Sequence, residues 1–147
     1  MIYVGADHRG YSQKERLVGE LESWGYDFTD LSDKLDKKDD YPEVAIALGE
    51  KVARKKTKGV LLCGSGAGVC MAVNKVKGIR AGMGFEEKQV RKMREDDDIN
   101  VLCLASDFVG EEKNVALLRI FLETVFSSEA TDIRRIKKII KYETAKR

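Results

Sequence analysis

Gly59-Val-Leu-Leu-Cys-Gly-Ser-Gly-Ala-Gly-Val-Cys70 decides how this chain is read. Val60 to Leu62 is an apolar run of strand character. Three glycines, Gly64, Gly66 and Gly68, follow at alternate positions, and a helix follows them. Glycine lets a backbone turn tightly and come close to a ligand. The N–H groups of such a turn and of the helix start lack backbone partners, and they favour an anion or an oxyanion. Cys63 stands where the strand stops. A thiol at a helix N-terminus is a candidate base or nucleophile; a cysteine at a strand end reads equally as a small buried hydrophobe.

On the amino-terminal side, Ile2 to Gly5 reads as a first strand and Ala6 to Gly10 as a loop. Leu17, Val18 and Leu21 give helical spacing from Tyr11 to Trp24, and Gly25 ends that helix. Tyr26 to Leu31 reads as a second strand, and Ser32 to Asp40 as an exposed charged loop. Pro42 marks the start of a helix running to about Arg54. On the carboxyl side, Gly78 to Met83 reads as a fourth strand, Glu86 to Arg94 as a helix and Asn100 to Leu104 as a fifth strand. Gly110 to Phe126 reads as a long helix with Val115, Leu118 and Leu122 inward, and Asp132 to Lys146 as a basic final helix. Alternation of this kind predicts one α/β domain over residues 1–147: an open parallel five-stranded sheet with helices on both faces and a C-terminal helix. Ligands of such sheets sit outside the carboxyl ends of the strands. Asp7 and His8 follow the first strand, and Cys63 to Gly68 follow the third.

Composition narrows the partners. The 147 residues are 43% hydrophobic and 35% charged, with a net charge of +2. The basic run from Arg134 onward reads as a solvated helix face, and the acidic run from Glu95 to Asp98 would repel a polyanion, so nucleic acid is not expected. Three cysteines in apolar surroundings predict reduced thiols and a cytoplasmic setting. Cys70 and Cys103 read as core. The sequence shows neither a charged-then-apolar leader nor a long apolar span, so the expectation is neither secretion nor membrane insertion.

Several chemistries are excluded by spacing. The glycine turn follows the third strand, lacks a glycine at position 69, and is not followed by an acid closing the next strand; a dinucleotide site is not expected. Gly-Lys-Ser/Thr does not occur, so there is no P-loop. One histidine and scattered cysteines lack metal-ligand spacing. Ser65 lies outside the Gly-x-Ser-x-Gly context of a hydrolase elbow. His8 follows Asp7, which can orient it, in a loop at a strand end.

Five motifs in order then carry a resemblance: Gly5-Ala-Asp-His-Arg-Gly-Tyr11 with Lys14, Asp40-Tyr-Pro42, Leu62-Cys-Gly-Ser-Gly-Ala-Gly68, Ala72-Val-Asn-Lys-Val-Lys-Gly-Ile-Arg-Ala81 and Asn100-Val101. Over residues 1 to about 126 the chain resembles the type B ribose-5-phosphate isomerase and galactose-6-phosphate isomerase family. The resemblance implies a Rossmann-like sheet and a homodimer, or a heterodimer with a paralogue, whose active sites lie at the subunit interface. It implies aldose–ketose isomerisation of a phosphorylated sugar through an enediolate, with ribose 5-phosphate to ribulose 5-phosphate foremost, and without metal or organic cofactor. By position, Cys63 resembles the base that moves the proton. Gly64, Ser65, Gly66, Ala67 and Gly68 resemble the cradle for the enediolate oxygen. Asp7, His8 and Tyr41 resemble sugar-binding groups.

The chain also departs from the family pattern. Asp96-Asp97 stands where the family has His-Asn, and Asp97 is carried over as a substrate-binding position. Asp107 stands in place of an arginine that helps hold phosphate. Glu129-Ala130-Thr131-Asp132 replaces Gly-Gly-Arg-His, and of the arginines near it Arg135 (or Arg134, one register away) survives as a substrate-binding candidate. A phosphate would be poorly held by such a site, and Arg9 is a candidate replacement cation. These departures keep two other readings open: one half of a heteromeric isomerase, and a non-catalytic sugar-binding protein that kept the fold.

Overall fold

Apolar runs without polar alternation have to be covered on both faces, and parallel sheets bury strands in that way. In the computed structural model, which describes residues 1–145, strands and helices alternate as β1 (Ile2–Ala6), α1 (Tyr11–Ser23), β2 (Phe28–Asp30), α2 (Tyr41–Lys55), β3 (Lys58–Cys63), α3 (Ala67–Val73), β4 (Ala81–Gly84), α4 (Glu87–Asp97), β5 (Val101–Ala105), α5 (Glu111–Glu123) and α6 (Ala130–Ala145). The five strands are all parallel, in the order β2-β1-β3-β5-β4.

Alternate residues of the central strands enter two separate cores. Val4, Val60, Leu62, Leu102 and Leu104 meet Leu17 and Leu21 of α1 and Leu117, Leu118 and Phe121 of α5 on one face. Tyr3, Leu61, Cys63, Val101 and Cys103 meet Ala45, Leu48 and Val52 of α2 and Val69 and Val73 of α3 on the other. Each large aliphatic or aromatic side chain buried in this way contributes about 1.5–3 kcal/mol of transfer free energy.

The topology positions the site. The chain leaves β1 through α1 on the first face and leaves β3 through α3 on the second. Neighbouring strands that send their chains to opposite faces open a crevice at their carboxyl ends. Asp7 and Cys63 stand at that crevice, tied by the N–H of Asp7 donating to the Leu62 carbonyl at 3.2 Å. The turn from β1 to α1 lies directly on β3: a Cβ on Gly10 would stand 2.6 Å from the Leu62 carbonyl oxygen, a backbone atom that cannot give way. Gly10→Ala is therefore expected to destabilise the protein by about 1–3 kcal/mol, read as a lowered denaturation midpoint.

Element ends differ from the periodicity where a tertiary partner intervenes. The second strand is shorter than Tyr26 to Leu31 because Tyr26 N–H still donates to Leu21 of the preceding helix and Gly25 turns at φ +75°. The fourth begins at Ala81 instead of Gly78: Gly78 sits at φ +85°, and the Asn100 side chain takes the N–H of Arg80. The long helix stops at Glu123 instead of Phe126, with Thr124 extended and its carbonyl accepting from Arg94 Nε at 3.3 Å. Its inward residues are Leu117, Leu118 and Phe121, while Val115 and Leu122 are half-buried. The last helix starts earlier than Asp132, at Ala130, and its expected end at Lys146 lies outside the described residues. Among the described residues no helix is long and apolar enough to cross a membrane.

Candidate active site

The glycine turn is built from backbone geometry. β3 ends at Cys63, and Gly66 reverses the chain at φ +75°, a conformation that costs a side-chain-bearing residue heavily. The Gly66 N–H then donates to Cys63 Sγ at 3.2 Å, and the Ala67 N–H to Ser65 Oγ at 3.3 Å. The N–H groups of Ser65, Gly68 and Val69 have no partner among the described residues. The loop leaving β5 is stapled against this turn. Ser106 N–H donates to the Cys63 carbonyl at 3.0 Å and Asp107 N–H to the Gly64 carbonyl at 2.9 Å. Gln13 of α1 holds the same loop through Nε2, which donates to the carbonyls of Ser106 and Val109.

A buried cation anchors the opposite wall. Lys14 is fully buried, and its Nζ donates to Asp30 Oδ2 at 2.5 Å, to Glu15 Oε1 at 2.5 Å and to the Ser32 carbonyl at 2.9 Å. Burial opposes its charge, but the hydrogen bonds to Asp30 and Glu15 outweigh burial and hold its pKa above 10.5. Asp30 in turn accepts from Ser32 N–H, and Ser32 Oγ accepts from Ala6 N–H at the end of β1. The Asp7 loop is thus set by Lys14. Asp7 itself accepts from the N–H groups of Arg9 and Gly10, both at 3.0 Å, which fixes the turn into α1.

These elements enclose a cavity of about 370 Å³. Of the sequence candidates, Asp7, Tyr41, Cys63, Gly64, Ser65 and Gly68 line it. Tyr41 lies flat against the turn, its ring 2.9 Å from where a Cβ on Gly68 would be. Gly66 and Ala67 shape the turn without lining the cavity. Arg9, Asp107 and Phe108 complete the wall. Phe108 carries no sequence motif; its signal is its place three residues after the Ala105 strand end.

His8 is oriented by a different acid from the one its sequence neighbour suggests. Its Nδ1 pairs with Asp39 Oδ1 at 2.7 Å, and its backbone N–H donates to the same oxygen. Asp7 Oδ1 instead accepts the backbone N–H groups of Arg9 and Gly10. The Asp39 hydrogen bond, opposed by burial and aided by the Asp7 charge, raises the His8 pKa above 6.5. A raised folded-state pKa means that the pair's contribution is complete below pH 6.5 and is lost as pH rises through the folded value. As His8 is the only histidine, one imidazole resonance should titrate above 6.5, and Asp39→Asn should bring it back toward 6.5.

Asp97 and Arg135 lie outside this cavity within one chain. Arg135 pairs with Asp132 at 3.0 Å. Burial, then Asp96 and Asp132, raise the Asp97 pKa against the opposing charge of Arg135. Cys103 is buried, whereas Cys70 is half-buried. The Cys70 thiol is pulled down to about 7, first by a hydrogen bond with Cys103, against burial, and then by Asn74. A larger cavity, about 680 Å³, lies at the amino ends of the strands. Three of the cations lining it are engaged: Lys58 donates to the carbonyls of Phe121 and Leu122, and Arg80 and Arg94 share Asp98. They cap helix C-termini, where carbonyls lack partners.

A thiol at a β1/β3 crevice beside an anion-favouring turn is a specific arrangement, and the family model for ribose/galactose isomerases matches residues 2–139. The chain belongs to the ribose/galactose isomerase family. Among its relatives in this family, a probable ribose-5-phosphate isomerase B of Mycoplasma genitalium is 39% identical over 145 residues, covering 97% of this chain and 95% of the relative. A D-erythrulose-4-phosphate isomerase 2 of Mycolicibacterium smegmatis is 34% identical over 149 residues, covering 98% and 97%. The crystal structure of ribose-5-phosphate isomerase B from Mycoplasma genitalium with bound ribulose-5-phosphate superposes with a TM-score of 0.93 at 38% identity, covering 97% of this chain and 95% of that one. The Rossmann-like sheet expected of the family is thus the observed fold.

Proposed function

We propose that this chain isomerises a phosphorylated aldose to its ketose, with ribose 5-phosphate to ribulose 5-phosphate as the first substrate pair, and that Cys63 is the base. The observation that carries the reading is Cys63, which lines the cavity while its sulfur accepts the Gly66 N–H. An N–H aimed at sulfur serves a thiolate better than a thiol. The thiolate removes the proton from C2 of the open-chain aldose and returns it to C1. The electron pair from the C2–H bond passes through the enediolate, the O2 hydroxyl proton moves to O1, and oxygen O2 becomes the ketose carbonyl. A positioned base is worth about 10²–10⁴-fold in such a step. Developing charge on the enediolate oxygens falls beside the unpartnered N–H groups of Ser65, Gly68 and Val69, donors already in place before reaction.

A second copy of the chain completes the site in this reading. Asp97 and Arg135 lie outside the cavity of their own chain, and Ile139, Ile140 and Tyr142 of α6 leave an exposed apolar stripe that supports docking. One observation favours the heteromeric alternative: among the described residues lining the cavity, Arg9 is the only cation and it is already paired. The test is turnover by the purified protein alone. Ketose formation from ribose 5-phosphate, or from a four-carbon sugar phosphate, supports a self-sufficient isomerase. Activity that appears only with a paralogous chain supports the half-site, and its absence in both settings overturns the catalytic reading.

A further inference from the structure

The cavity beside Cys63 holds an unequal set of charges. Asp7, Asp107 and Arg9 line it, and no other charged side chain among the described residues does. Asp7 is committed to the N–H groups of Arg9 and Gly10. Among the described residues Asp107 has one side-chain partner, the Arg9 guanidinium, which pairs with its Oδ2 through NH2. The pair lies across the glycine turn. A Cβ on Gly64 would stand 2.6 Å from Asp107 Oδ2 and 2.7 Å from Arg9 Nε. The pair therefore covers the backbone that a substrate has to approach, and the absence of a side chain at Gly64 is what admits it.

We infer that Arg9 is the anion-selecting residue of this cavity, and that Asp107 is a resident carboxylate which a phosphate-bearing substrate must displace from it. The inference rests on the sugar-phosphate reading above. Three physical points carry it. A guanidinium presents a planar fork that binds phosphate in two-point fashion, and a dianion outcompetes a single carboxylate for that fork. The Arg9 side chain is 60% exposed and that of Asp107 34%, and ion pairs this open are weak and easily exchanged. Opening the pair also uncovers Gly64, so one movement supplies the cation and clears the turn. A neutral sugar has nothing to exchange with Asp107 and leaves the turn covered. Asp107 is thus a positioning residue that acts through Arg9, and it sharpens the preference for phosphorylated substrates at the expense of their affinity.

The experiment is a double-mutant cycle read by calorimetric binding of ribose 5-phosphate to the full chain in a Cys63→Ala background, with unphosphorylated ribose as the second probe. Asp107→Asn is expected to tighten ribose 5-phosphate binding about tenfold, Arg9→Gln to weaken it about tenfold or more, and the gain from Asp107→Asn to vanish when Arg9→Gln is also present. In the Cys63-containing enzyme, Asp107→Asn is expected to lower KM for ribose 5-phosphate more than it changes kcat. Both substituted side chains are solvent-accessible, and Asp107→Ser provides a second removal of the carboxylate. A gain that persists without Arg9, or no change with either Asp107 variant, overturns the inference. Arg9-dependent binding in a protein without turnover keeps the inference and counts against catalysis alone, which separates the two failures.

Discussion

Alanine at position 63 is expected to cut ribose 5-phosphate turnover by about 10²–10⁴-fold, the contribution of a positioned base. The residue is 4% exposed at the end of a central strand, so its loss removes one sulfur and leaves one N–H, that of Gly66, without its acceptor. A hydrogen bond of that kind is worth about 0.5–1.5 kcal/mol, and the fold should survive. The expected pattern is therefore a large fall in kcat with little change in denaturation midpoint and near-normal binding of substrate. Cys70 is the necessary control. Its thiol is half-buried and pulled to about 7, chiefly by Cys103, so alkylation at neutral pH reaches a second site. Activity loss on alkylation should be assigned only in a Cys70→Ser chain. Unchanged turnover in Cys63→Ala would take the thiol out of the mechanism.

Lys14→Met is expected to lower stability by about 3–5 kcal/mol, the cost of leaving one partner of a buried ion pair alone. Domains of this size are stable by about 5–15 kcal/mol, so the loss is a large share. Methionine fills the space, but Asp30, whose side chain is 14% exposed, loses its cation, and the Ser32 carbonyl loses a donor. Asp30→Asn in the same chain should restore part of the loss, because the unpaired charge is the main penalty. The pH dependence follows from the raised Lys14 pKa: its contribution is complete below 10.5 and falls as pH rises through the higher folded value. Urea denaturation of the single and double variants measures both effects. A loss below about 1 kcal/mol, the range of an exposed pair, would show that the network is not anchoring the Asp7 loop.

The glycine turn was legible in the chain because its geometry is local. Gly66 at φ +75° and the helix start at Ala67 depend on residues within a few positions of Cys63. Strand and helix order was legible for the same reason, through apolar periodicity. The phase of α5 was not, since Leu117, Leu118 and Phe121 face the core and Val115 and Leu122 only border it. In an apolar-rich helix several stripes compete, and the sheet selects one. The orientation of His8 was also illegible, since Asp39 is 31 residues away and adjacent Asp7 is spent on backbone N–H groups.

The sequence by itself determined the α/β alternation, the family, the glycine turn with its thiol, and the conflict between acids and a phosphate substrate. All of these are properties of residue type and near-neighbour spacing. Tertiary structure alone decided which side chains meet. It joined Asp7 and Cys63 at one crevice, because β1 and β3 are adjacent and send their helices to opposite faces. It buried Lys14 beneath the β2 edge, where Asp30, Glu15 and Ser32 accept its hydrogen bonds. It also set Arg9 against Asp107 across Gly64, 98 residues apart in sequence. A charge carries no mark of its partner in one dimension, because the partner is set by how the loops fold over the sheet.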